Sequence, residues 1–381
     1  MIKKLLLLCV LATTAFGAVN WHPGHYLLVG QSKNTPISSF EKAKDAKFRG
    51  VQKRYWWRDL EPTKDNYDFS QIFDDVRAVR NMTSPVGTRY FVVQIQIKDF
   101  TGGHPTPDYL WDTTNVAYRS PNPMGNGQYA YGEFNEGDNA GSGEETRQAM
   151  YWIPGVNTRL RALYTALRDA INAEPDAADL RTTIESIVIN ETACEEGVAP
   201  DGLNRQRSGY TQQKCVDAIK SNLTLLNSLF PGMTIIQYIN FLPPPSGPAD
   251  TPTQVSYLTQ IANHCTTIDG LGIGCPDVRG INPPGYTVLR NFQTQMPISG
   301  SVQGKDYKDP ETLDSVWDKG LNVTTDTPWG LGSHYMVWLD MNSTAPEYGF
   351  RLGDGPTDTG TVRHRVQNTT FPNSAKPDNI P

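Results

Sequence analysis

Eight short β-rich runs alternate with helical patterns along this chain, and that alternation constrains the fold more than any other feature. Strand and helix in strict rotation predict a parallel sheet with helices packed on it. The strands are expected at His25–Gln31, Gly50–Trp57, Thr88–Phe100, Glu185–Thr192, Thr234–Phe241, Gly270–Val278, Pro297–Gln303 and His334–Met341. The helices between them are expected at Ser38–Ala46, Phe69–Met82, Val156–Ala173, Gln212–Phe230, Pro252–Cys265, Tyr286–Met296 and Pro310–Asn322. In the second of these, Ile72, Phe73, Val76 and Val79 fall at helical spacing. Eight units in sequence close a barrel rather than an open sheet, so the expected fold is α/β, a (β/α)8 TIM barrel.

The rhythm breaks in two places. A stretch from about Thr101 to Gly155, rich in Gly, Asn, Tyr and Trp, follows the third strand. A loop this long inside a compact domain is usually functional, and it falls at the C-terminal barrel face, where active sites of this fold lie. The tail, residues 345–381, is rich in Pro, Gly and Asp and is expected to wrap the barrel loosely. No internal repeat or second domain is visible, so residues 18–344 are assigned to the barrel.

The first residues speak to the compartment. Lys3 and Lys4 precede an apolar run from Leu5 to Ala12, and Ala15-Phe16-Gly17 closes the segment. Basic, apolar and small-residue zones in that order mark residues 1–17 as a secretory signal peptide, and the expected location is extracellular or periplasmic. The apolar run is too short to span a bilayer comfortably, and no later segment is more apolar, so no membrane partner is expected. With Cys9 gone, four cysteines remain: Cys194, Cys215, Cys265 and Cys275. An even number in an exported chain reads as two disulfides. Proximity favours Cys194–Cys215 and Cys265–Cys275, although three pairings are possible. There is no CxxC pair and no His at ligand spacing, so no metal is expected. Sequons stand at Asn81, Asn190, Asn222, Asn322, Asn342 and Asn368.

The formal net charge is -6, and the basic residues are scattered. Phosphate binding needs a basic face, so nucleic acid is excluded as a partner. No Ser-His-Asp signature, phosphate-binding glycine loop or dinucleotide fingerprint is present; no cofactor is expected, and the chain is expected to be a monomer.

Side chains at the C-terminal strand ends are where barrel chemistry sits. The fourth strand ends in Ile189-Asn190-Glu191. Here the chain resembles the clan A glycoside hydrolases, whose acid/base is a Glu preceded by Asn at the end of strand 4. The resemblance implies Glu191 as general acid/base and Asn190 as a residue holding a sugar hydroxyl. Arg54-Tyr55-Trp56-Trp57-Arg58-Asp59-Leu60-Glu61-Pro62, followed by Asn66-Tyr67-Asp68-Phe69-Ser70, is similar to the strand-2 segment of several families in that clan. Phe69-Ser70 suits a helix start, Glu61 is expected to order the turn, and one of Trp56 and Trp57 should face the barrel. By the same resemblance Trp338, on strand 8, is an aromatic platform beneath a sugar.

Strand 7 departs from the pattern. The clan places its nucleophile, a second Glu, at the end of this strand, whereas this chain reads Pro297-Ile298-Ser299-Gly300-Ser301-Val302-Gln303. An amide cannot serve as the carboxylate nucleophile. The second carboxyl is therefore sought at Asp277, in Gly272-Ile273-Gly274-Cys275-Pro276-Asp277, with Asp306 in reserve; a third possibility is that no attacking carboxylate exists. The glycines suggest close backbone approach to a ligand. Asp340, Glu195 and Glu196 are further carboxylates near this face, the last two as solvated loop charges.

Other polar groups complete the expected cleft. Gln94, Gln96 and Lys98 alternate with apolar residues on strand 3, as do Tyr238 and Asn240 on strand 5. Trp56, Gln96, Tyr238, Asn240, Gln303, Asp306 and Trp338 join Asn190 as expected substrate contacts. His104, Trp111, Tyr118, Tyr129 and Tyr131 of the long loop offer outer subsites. The expected activity is cleavage of a poly- or oligosaccharide, with Glu191 and Asp277 catalytic. The alternatives are a barrel that binds carbohydrate without catalysis, suggested by Gln303, and a polysaccharide lyase, which would need a basic cleft.

Overall fold

The structure is a computed structural model and describes residues 19–30, 40–41, 47–82, 87–100, 102–138, 145–193, 204–245, 250–278, 283–308, 310–323, 330–341, 344, 348–355 and 357–381. Its first strands are β1 (Gly24–Leu28), β2 (Gly50–Trp56) and β3 (Tyr90–Gln96), with helices α1 (Trp57–Leu60) and α2 (Ser70–Arg80) between the last two. Five short strands follow: β4 (Lys98–Asp99), β5 (Arg119–Pro123), β6 (Tyr129–Tyr131), β7 (Glu133–Asp138) and β8 (Glu145–Ala149). Then come α3 (Pro154–Ala173), α4 (Ala177–Thr183), β9 (Ile184–Ile189), α5 (Asn204–Arg207), α6 (Gln212–Leu229) and β10 (Thr234–Tyr238). The chain finishes with α7 (Thr251–Thr266), β11 (Leu271–Cys275), α8 (Pro284–Asn291), β12 (Ile298–Val302), α9 (Leu313–Leu321), β13 (Tyr335–Leu339) and α10 (Val362–Asn368).

Eight strands, in the order β1-β13-β12-β11-β10-β9-β3-β2, close a barrel in which every neighbouring pair is parallel. This is the expected (β/α)8 architecture, and each of the eight anticipated strands is present within a few residues. Of the helix expected at Ser38–Ala46 only Phe40 and Glu41 are described.

Burial on both faces explains why the strands read as nearly continuous apolar runs. In β9 every residue of Ile-Glu-Ser-Ile-Val-Ile is buried. Alternate residues divide between two cores. Tyr26, Leu28, Val92, Val188, Ile236, Tyr238, Tyr335 and Val337 fill the barrel. Val51, Val93, Ile95, Ile187, Ile235 and Ile273 face the helices. On α3, Val156, Leu160, Leu163, Tyr164, Leu167 and Ile171 recur every three or four residues and are buried. Each such side chain contributes about 1.5–3 kcal/mol of transfer free energy. Side-chain caps start the helices that follow the later strands: Thr211 accepts from Lys214 N–H, Asp250 from Thr253 and Thr312 from Ser315.

The long stretch after β3 is not a plain loop. It folds into a sheet ordered β4-β8-β7-β6-β5, antiparallel at each junction. A buried carboxylate organises it. Glu133 accepts from Thr106 Oγ1 at 2.7 Å and from His104 Nδ1, while Trp111 Nε1 donates to Thr106 Oγ1 at 2.9 Å. The tail also departs from the loose wrapping expected. Val362 and Val366 of α10 are buried, and Asn379 Nδ2 donates to the carbonyls of Cys265 and Leu271.

The disulfide expectation is not met. Cys215, Cys265 and Cys275 are free buried thiols, and Cys194 lies outside the described residues. Cys265 Sγ rests on the Gly272 carbonyl at 3.8 Å, three residues from Cys275 along β11. That is about 10 Å of strand, too far for an S–S bond. Cys215 Sγ is instead 2.9 Å from the Tyr151 hydroxyl, and burial pushes this thiol up to about 12. These cysteines serve as small apolar core residues.

Candidate active site

The two barrel ends differ in chemistry. At the N-terminal end, Glu185 is fully buried and saturated: it accepts from His22 N–H, His22 Nδ1 and the Tyr335 hydroxyl at 2.7–2.8 Å. His22 stacks on Tyr90 with ring centroids 3.6 Å apart, and Trp21 packs edge-on against His334 and Tyr335. At the C-terminal end the strands deliver amides, a guanidinium and three half-buried carboxyls, Glu191, Asp277 and Asp340.

Arg54 is the central cation of this end. Its place on β2 alternates with Val51 and Tyr55, which face the helices, so Gln52, Arg54 and Trp56 share the barrel side. Arg54 Nε donates to Gln94 Oε1 at 3.0 Å, and Gln52 Nε2 donates to the same oxygen at 2.9 Å. Burial destabilises the guanidinium charge, whereas Tyr238, Glu191 and Asp277 stabilise it. The two carboxyls singled out in the sequence therefore both lie within electrostatic reach of one buried arginine. Sequence reasoning quoted Arg54 but gave it no role; the run Gln52-Lys53-Arg54 inside a buried parallel strand was the available signal.

Glu191 is half-buried just beyond β9 and accepts a hydrogen bond from Asn240 Nδ2 at 3.2 Å. The four residues 190–193 are held from both neighbouring strands. On one side Ile97 N–H donates to Asn190 Oδ1 at 3.1 Å, and the buried Lys98 ammonium donates to the Ala193 carbonyl at 2.8 Å. On the other, Thr192 N–H donates to the Tyr238 carbonyl, Thr192 Oγ1 to the Phe241 carbonyl, and Asn240 N–H to Thr192 Oγ1.

Asp277 is half-buried beyond β11. Asp306 secures the neighbouring backbone: its Oδ2 accepts from Val278 N–H at 3.2 Å and from Gln303 N–H at 2.7 Å. Asp306 is fully buried and ties two strand ends together. Gln303 is half-buried just beyond β12.

The remaining expectations divide. Trp56 is half-buried at the tip of β2, while Trp57 is buried against the helices with its indole N–H on Glu61 Oε2 at 2.9 Å. Glu61 orders its turn as anticipated, accepting from Asp65 N–H and Arg159. Gln96 faces the barrel interior, and its amide donates to the Lys98 carbonyl at 2.7 Å. Lys98 itself is turned to the Ala193 carbonyl and does not share the cleft with Gln94 and Gln96. Tyr238 is buried inside the barrel, where burial raises its phenol pKa; its hydroxyl lies 3.4 Å from Gln52 Oε1 and 3.5 Å from Ser299 Oγ. Its ring fills the space over Gly274, where a Cβ would come within 2.8 Å of the ring and 2.7 Å of the Ser299 carbonyl. The glycines of β11 thus admit Tyr238 and a close neighbouring strand, not a ligand.

Trp338 does not line the mouth. It is fully buried on the outer face of β13, stacked on Trp317 with centroids 5.7 Å apart, and its Nε1 donates to His25 Nδ1 at 3.0 Å. Leu339 takes the inward place beside it. Among the loop aromatics, Tyr118 is buried, Trp111 is half-buried against His104, and Tyr129 is exposed beneath Arg119. Glu195 and Glu196 lie outside the described residues. Among the described residues no group of three or more His, Cys, Asp or Glu is placed to hold a metal ion, and no helix is long and apolar enough to cross a membrane.

No protein-family model matches the chain, and no curated protein matches it in sequence. Similar solved structures include the exo-beta-1,4-mannosidase Op5Man5 from Opitutaceae bacterium strain TAV5, 12% identical over 90% of this chain and 55% of that one, with a TM-score of 0.46. A beta-galactosidase from the psychrophilic Marinomonas ef1 is 8% identical over 86% of this chain and 55% of that one, with a TM-score of 0.48. Endo-glycoceramidase II from Rhodococcus sp., in a cellobiose-like imidazole complex, is 12% identical over 91% and 78%, with a TM-score of 0.45. The chain spans about half the length of the first two.

Proposed function

We propose that this protein is an exported glycoside hydrolase that cleaves a poly- or oligosaccharide at the C-terminal mouth of the barrel, and acts as a monomer. The observation that carries this reading is that Glu191 and Asp277 stand half-buried just beyond β9 and β11, at the same end of the barrel, each within electrostatic reach of Arg54 on β2. Glycosidic cleavage needs one carboxyl to protonate the leaving oxygen and a second to attack or to activate water. Glu191 is the general acid/base and Asp277 the second carboxyl. A cation within electrostatic reach favours the ionised form that the second carboxyl needs. Trp56 and Gln303, both half-buried, and Asn240, buried beside the Glu191 carboxyl, are the groups this reading assigns to substrate. Asn190 and Gln96 lie beside them, with Asn190 spending its amide oxygen on Ile97.

Gln303 favours one rival, a barrel that binds sugar without cleaving it, because an amide stands where a carboxylate would attack. Incubation with a panel of polysaccharides, wild type beside Glu191→Ala, followed by product chromatography, decides between them. New reducing ends from wild type alone support the hydrolase; equal release from both proteins removes Glu191 from the mechanism, and binding with no release from either supports the rival.

A further inference from the structure

We infer that Gln237 is a positioning residue for Glu191, acting from behind the barrel wall without touching substrate. This rests on the reading of Glu191 as general acid. Gln237 lies on β10 between Ile236 and Tyr238, which point into the barrel, so its own side chain faces the helices. There it shares a small cavity with Asn190, Tyr151 and Asn222. A glutamine in the strand–helix layer is unusual company for Ile97, Leu160, Ile189 and Ile219, which line the same space. Burying an amide there carries a desolvation cost that an apolar residue would avoid.

What the amide does explains its presence. Its Nε2 donates to the Asn190 carbonyl, the peptide that leads directly into Glu191, and to the Tyr238 carbonyl at 2.8 Å. Tyr238 in turn is the residue whose carbonyl receives Thr192 N–H. One amide nitrogen therefore joins the last peptide before Glu191 to the strand carrying Asn240, the group that contacts the Glu191 carboxyl at 3.2 Å. β9 and β10 pair regularly only as far as Ile189 and Gln237. Past that point the regular ladder gives way to a single backbone bond, Thr192 N–H to the Tyr238 carbonyl, and the Gln237 side chain adds a second tie at the Asn190 peptide. Without it, Asn190 keeps its tie to Ile97 but loses the one toward β10, and Glu191 is held on that side through Thr192 alone. Small displacements of a proton donor reduce catalysis steeply.

The test exploits leaving-group chemistry. A general acid matters for a poor leaving group such as phenolate and little for 2,4-dinitrophenolate, which departs without a proton. Phenyl and 2,4-dinitrophenyl glycosides of the sugar found in the polysaccharide panel are compared for wild type, Glu191→Gln and Gln237→Met. Glu191→Gln is expected to lose at least about 100-fold more kcat/KM on the phenyl substrate than on the dinitrophenyl one. Gln237→Met is expected to lose about tenfold more, with KM changed less than twofold. Equal losses on both substrates in Gln237→Met, beside the skewed loss in Glu191→Gln, overturn the inference and leave the reading of Glu191 standing. Equal losses in Glu191→Gln overturn both. Gln237→Asn keeps the polar group one methylene short of Asn190, and serves if the Met variant does not fold; the same skew is expected from it.

Discussion

Two glutamates on one strand, six residues apart, teach how this barrel separates structure from chemistry. Glu185, where β9 enters, is fully buried and takes three donors, two of them from a histidine clamped on a tyrosine ring. Glu191, where β9 leaves, is half-buried and accepts from the Asn240 side-chain amide. At the first position every neighbour is committed, and the carboxylate cannot change partner without breaking the plug formed by Trp21, His22, Tyr90 and Tyr335. At the second position the backbone is committed and the carboxyl is not buried, an arrangement suited to exchanging a proton with a ligand.

The contrast breaks most clearly by substitution at the two sites. Glu191→Gln should lower kcat/KM toward the natural substrate by about 10³-fold and leave thermal stability nearly unchanged. Glu185→Gln should do the reverse. Truncating a buried, hydrogen-bonded charge leaves its partners unsatisfied, so a loss of about 3 kcal/mol is expected in denaturant titration, with kcat per folded molecule retained.

Acid sharpens the same comparison. Burial lowers His25 from its ordinary value of 6.5 to about 3 and His334 to about 4. Both are neutral when folded and take up a proton more readily when unfolded. Their stabilisation is therefore complete above pH 6.5 and is lost as pH falls below it. Between pH 7.5 and 5 each should cost about 2 kcal/mol, and His334→Asn should flatten part of that slope in pH-dependent unfolding. The smallest effects separate two tryptophans. Trp56→Ala should raise KM by about tenfold through loss of a contact at the mouth. Trp338→Phe should leave KM unchanged and cost about 1 kcal/mol for the hydrogen bond to His25.

The barrel was legible in the chain because parallel strands buried on both faces must be apolar throughout, and their order alone set the closure. The same property hid which side each residue takes. Tyr335-Met336-Val337-Trp338-Leu339 is apolar on both faces, so nothing in it marks Trp338 as outward, and only the register with β1 and β12 does. Lys98 and Asp306 were likewise read as cleft groups because they are polar near strand ends; both are buried and bonded to backbone. The inserted sheet escaped notice because its strands are polar, as in Glu133-Phe134-Asn135, and are held by side-chain hydrogen bonds instead of an alternating apolar face. Four cysteines suggested two disulfides, yet the three described are core thiols with no reachable partner cysteine among the described residues. Arg54 and Gln237 could have been found by one rule, that a charge or amide within a buried strand needs a reason to be there.

The most direct test of the central claim is the crystal structure of Glu191→Gln bound to the oligosaccharide that the wild-type protein cleaves. The account predicts the scissile glycosidic oxygen about 3 Å from the substituted amide, with Asp277 on the opposite side of the sugar ring and Arg54 beneath. A sugar seated on the inserted sheet, or one crossing the mouth with its glycosidic oxygens out of reach of position 191, would contradict it.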